Sequence, residues 1–123
     1  MEDWRKIIEE NPAWIGVDLD GTLAVNDQEN GIGSPVQSMV DRVRSWRREG
    51  VVVKIMTARA AHAKEDELED IREWSLENIG EVLPITCKKD FMMVELWDDR
   101  AVRIVRNTGM ISDGRDVFDP LSK

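Results

Sequence analysis

Four short apolar runs, each ending in a residue suited to phosphate or a metal ion, constrain this chain more than any other feature. They are Trp14 to Val17, Val51 to Met56, Pro84 to Cys87 and Val94 to Trp97. Each is too short for a buried helix and is closed by polar residues, so each reads as a strand. After the first run, Val36, Met39, Val40, Val43 and Trp46 recur at helical spacing. Ser34-Pro35 stands before them as N-cap and first helical residue, and Gly50 supplies the stop. After the second run, a helix is expected from about Lys64 to Asn78, with Leu68, Ile71, Trp74 and Ile79 as its inner face and Gly80 at its end.

The remaining segments are connections. Glu2 to Glu10 reads as a short helix stopped before Pro12. Leu19 to Gly33 holds Gly21, Asn26, Asp27, Asn30, Gly31 and Gly33, the composition of a loop. Ala101 to Arg106 and Met110 to Ser112 flank Asn107-Thr108-Gly109, which predicts a hairpin or irregular closing strands. Strands alternating with helices imply an α/β fold: a single Rossmann-like, three-layer domain over residues 1–123, its sheet mainly parallel with helices on both faces.

In a parallel sheet the loops after the strands gather at one edge, where ligands bind. Asp18 and Asp20 follow the first strand, Thr57 and Arg59 the second, Lys88 and Lys89 the third, Asp98 and Asp99 the fourth. These residues are therefore expected to converge. Carboxylates brought together repel one another, and one stays protonated unless a cation joins them. All-oxygen ligation with few carboxylates favours Mg²⁺ as that cation. With that cation present, Asp18 is suited to attack phosphorus, and Asp20 to protonate the leaving oxygen and later activate water. The Lys89 ammonium and Thr57 hydroxyl suit the phosphoryl oxygens, where transition-state charge is spread. Gly21 and Thr22 complete a turn whose backbone N–H groups add donors, and Arg59 offers either a phosphate contact or a surface salt bridge. His62 reads as surface and Cys87 as a small buried hydrophobe.

Charge narrows the partners. Seventeen basic against 25 acidic residues give −8, which argues against broad binding to nucleic acid and leaves a small phosphorylated substrate. No apolar run approaches the ~20 residues that span a bilayer. A charged start and a single cysteine make the cytoplasm the expected compartment.

DLDGT at Asp18–Thr22, IMTAR at Ile55–Arg59, CKKD at Cys87–Asp90 and WDDR at Trp97–Arg100 together resemble, in order, the four motifs of the haloacid dehalogenase superfamily of phosphohydrolases. The motifs frame residues 14 to 100. The resemblance implies Asp18 as nucleophile and Asp20 as general acid/base, with Thr57 and Lys89 (or its neighbour Lys88) on the phosphoryl group. It also implies Mg²⁺ held by the Asp18 carboxylate, the Asp20 backbone carbonyl and the acidic pair, with Asp99 favoured over Asp98 as the ligand. Ala24 to Gly33 is too short for an inserted cap, so the chain looks like a capless member, its site open or closed by a second subunit in a homodimer. WDDR and TAR also resemble the phosphatase half of polynucleotide kinase–phosphatases, which gives a nucleic-acid 3′-end phosphatase as one alternative. A non-catalytic domain that keeps the metal and binds a partner is another, although all four motif positions are filled. Dehalogenation needs neither Mg²⁺ nor the second aspartate, so Asp20 with Asp98-Asp99 argues against it.

Overall fold

The computed structural model describes residues 12–27 and 31–112. Their elements run β1 (Trp14–Val17), α1 (Gln37–Arg48), β2 (Val52–Met56), a 3₁₀ turn (Ala58–Ala61), α2 (Glu65–Ile79), β3 (Ile85–Thr86) and β4 (Met93–Trp97). The helix expected over Glu2 to Glu10 lies outside the described residues.

All three strand pairings are parallel, in the order β3-β2-β1-β4. The chain moves from β1 through β2 to β3 in one direction, then returns to place β4 on the other side of β1. That reversal leaves a crevice beyond the carboxyl end of β1, where open α/β sheets take ligands.

Alternation along the strands decides what packs where. Ile15 and Val17 of β1, paired with Val53 and Ile55 of β2, join Met39, Val40 and Val43 of α1 and Ile71, Trp74 and Ile79 of α2 in one core cluster. Both described helices therefore cover the same sheet face; the other helix expected from the sequence lies outside the described residues. The opposite face carries Trp14 and Lys54, whose ammonium lies 4.5 Å from the centre of the Trp14 ring. Gly16 makes room there: an added Cβ would stand 3.0 Å from Met93 Sδ and 3.1 Å from the Trp14 ring.

Two local expectations are corrected. Helix α1 begins at Gln37, with Val36 as N-cap and no side-chain cap, rather than at Ser34-Pro35. Residues 34–36 are held extended instead, because Val25 N–H donates to the Ser34 carbonyl (2.8 Å) and Val36 N–H to that of Leu23 (2.7 Å). The segment after β1 is a loop, as expected, but a packed one, since Leu19, Leu23 and Ala24 are fully buried. Helix α2 follows its predicted course, but Leu68 is only half-buried, and Ser75 lies inward instead. The Ser75 hydroxyl donates to the Glu81 carbonyl (2.6 Å) and accepts from Leu83 N–H (3.0 Å). The expected hairpin is present: Ile104 bridges Ile111, and Val105 N–H donates to the Met110 carbonyl (2.7 Å). No described helix is long and apolar enough to cross a membrane.

Candidate active site

Asp18 stands where β1 ends. Its N–H donates to the Trp97 carbonyl of β4 (2.9 Å), and its own carbonyl accepts from Leu23 N–H (3.2 Å), so the backbone turns sharply over the switch point. Gly21 permits that turn with φ +89°, and a Cβ there would collide with the Asp99 carboxylate. Glycine is thus required both by the conformation and by the approach of the acidic pair.

The Asp18, Asp98 and Asp99 carboxylates come together, each offering an oxygen within 4.8 Å of the others. Burial, reinforced by the charge of Asp98 and by a hydrogen bond and charge from Asp99, pushes the Asp18 carboxyl up from 3.8 to about 7. Three acids packed this closely are in conflict without a cation. Their hard oxygen donors suit Mg²⁺, which would be held by these residues and would let Asp18 remain ionised at neutral pH. Asp98 is held in place by its neighbours, its Oδ1 accepting from the N–H groups of Arg100 (2.6 Å) and Ala101 (3.3 Å).

Asp18 and Asp98 open onto a cavity of about 620 Å³, with Asp99 beside it; the lining is completed by Asp20, Asn26, Met56, Thr57, Ala58, Arg59, Cys87, Leu96 and Arg100. Thr57, 2% exposed, follows β2, and its Oγ accepts from Arg59 N–H (3.2 Å). Its hydroxyl proton is left to donate elsewhere. Arg59 forks onto Asp20, with Nε to Oδ2 and a terminal nitrogen to Oδ1 both at 2.8 Å, and also donates to the Gly31 carbonyl (3.0 Å). The carboxylate in turn raises the guanidinium pKa, chiefly through that hydrogen bond. Of the two roles open to Arg59 from sequence, the salt bridge is the one realised, though partly buried and within the cavity rather than on the surface.

Other expected residues sit elsewhere. Lys88 and Lys89 are exposed and do not line the cavity, whose third-strand corner is Cys87. Asp90, next to Lys89, accepts from Trp14 Nε1 (2.9 Å) and Met92 N–H (2.8 Å), contacts that hold its carboxyl below the usual range. Thr22 is buried outside the cavity lining, and its hydroxyl has no hydrogen-bond partner. His62 is exposed, as expected. Asn26 and Arg100 are cavity residues that the sequence reading left unassigned; Arg100, the last residue of WDDR, was the one with a positional signal. No family model, curated protein or solved structure matches the chain.

Proposed function

We propose that this chain is a small Mg²⁺-dependent phosphohydrolase of haloacid dehalogenase type, built on a capless Rossmann-like domain and acting on a phosphomonoester. The observation that carries this reading is the convergence of Asp18, Asp98 and Asp99 at the carboxyl edge of a parallel sheet, beside a buried threonine hydroxyl in the same cavity. Mg²⁺ supplies charge neutralisation between the acids and the substrate phosphate when bound.

The residues then divide the work. The Asp18 carboxylate attacks phosphorus while the ester P–O bond breaks, leaving an aspartyl-phosphate. Asp20 gives its proton to the departing oxygen, then takes one from the water that attacks the acyl phosphate and releases inorganic phosphate. In the resting site both Asp20 oxygens accept from Arg59, so neither is turned to a leaving group. Turnover therefore requires Asp20 to exchange Arg59 for the leaving-group oxygen. Arg59 is a positioning residue in this scheme. Thr57 donates to a phosphoryl oxygen. Arg100, already in the cavity lining, takes the place expected of Lys89 as a cation available to the phosphoryl charge.

Hydrolysis of an aryl phosphate with Mg²⁺ tests the proposal, with Asp18→Asn as control. Turnover that vanishes in the variant and with EDTA supports it. Rates indifferent to both would remove its basis.

A further inference from the structure

The hairpin after β4 carries a charge opposite to that of the chain. Residues 101–112 contain no acid, and Arg100, Arg103 and Arg106 are spaced along its first arm. None of the three guanidinium groups forms an ion pair with a described residue. Between and beyond them, Val102, Ile104, Val105, Met110 and Ile111 are 38–65% exposed. A soluble chain seldom leaves so many adjacent aliphatic side chains in water without a partner.

Helix α2 has the complementary defect. Its 15 residues hold seven acids and one base, Arg72, which is occupied by Glu65 (2.7 Å) and Glu69 (3.1 Å). Asp66 and Asp70, Glu69 and Glu73, and Glu73 and Glu77 are like charges four residues apart, each pair mildly destabilising. On this helix Glu67, Asp70, Glu73 and Glu77 line one groove of about 310 Å³ with Trp74, Ile32 and Arg59, whose guanidinium is held by Asp20. Such a groove, acidic with an apolar floor, fits an arginine side chain whose stem lies on apolar surface while its head meets carboxylates.

We propose that a second copy of this chain fills the groove: the Arg103–Arg106 arm of one copy docks on α2 of the other, and the contact is made twice about a twofold axis. The occupant follows from charge complementarity, since one chain carries both a basic apolar arm with no ion pair among the described residues and a helix with seven acids and one base. The inference does not depend on the phosphohydrolase reading.

Sedimentation velocity of the full chain across the micromolar range tests it, using Arg103→Glu/Arg106→Glu and Glu73→Lys/Glu77→Lys. The wild type is expected to run at twice the chain mass. Each reversed variant alone should dissociate at least about tenfold more readily, because it sets like charge against like at both contacts. Mixing the two variants should restore the dimer, since both contacts regain opposite charges. The milder Arg103→Gln/Arg106→Gln variant covers a hairpin that fails to fold. A wild type that stays a single chain, or reversals without effect, or a mixture that does not recover, would each overturn the proposal. So would a single chain that binds a single-stranded oligonucleotide through the same arginines, because the arm would then belong to nucleic acid.

Discussion

The two strand ends that build the site differ in how they are held. Strand β1 is buried along its whole length, and the segment after it is packed through Leu19, Leu23 and Ala24. Strand β4 lies at the sheet edge, with Val94, Glu95 and Leu96 exposed and an exposed hairpin behind it. Trp97 is its anchor, edge-on to Trp46 at 5.1 Å with Arg42 over its ring. The nucleophile candidate thus sits on the stiff side and the acidic pair on the open side.

That contrast can be broken by mutation. Asp18→Asn is expected to reduce phosphatase turnover to background with the fold intact, as read from aryl phosphate hydrolysis and circular dichroism. Asp20→Asn should cost ~10²–10⁴-fold, the worth of proton transfer, in kcat; a change confined to KM would contradict its role. Arg59→Ala should lower kcat with little change in KM, because Asp20 loses the fork that positions it; an unchanged kcat would place Arg59 outside the mechanism.

On the stability side, Ile55→Ala in the core should cost about 2–5 kcal/mol in urea unfolding, and Leu96→Ala on β4 less than about 1 kcal/mol. Equal costs would deny the difference between the two sides.

The smallest effect is electrostatic. Asp18 is harder to ionise folded, near 7, than unfolded, so the metal-free protein should lose stability as pH rises from about 4 through 7. Metal-free Asp18→Asn should therefore be more stable than wild type at pH 8, by on the order of 1 kcal/mol after solvent screening. The advantage should fade toward pH 4.

Strand-end chemistry was readable in the sequence because a two-residue period and a polar stop need no tertiary information. Asp18, Asp20, Thr57, Arg59 and Asp98 all reach the cavity for that reason, and Asp99 joins the acid cluster beside it. What the sequence hid was pairing between distant polar groups. Nothing local says that Arg59 will close on Asp20, 39 positions away, or that Asp90 will serve Trp14. The cap of α1 was misplaced because Ser34-Pro35 has cap chemistry, but backbone pairing with Leu23–Val25 is stronger there than propensity. Which face each helix takes was not legible either, because alternation marks a strand without saying where a helix will pack.

Titration with Mn²⁺, followed by loss of the free-ion electron paramagnetic resonance signal at pH 8, tests the acidic cluster most directly. The wild type should bind one ion, displaced by Mg²⁺, and Asp18→Asn and Asp99→Asn should each weaken that binding by at least about tenfold. A wild type that leaves the free-ion signal unchanged, or variants that bind as well as it does, would show that these three carboxylates hold no metal.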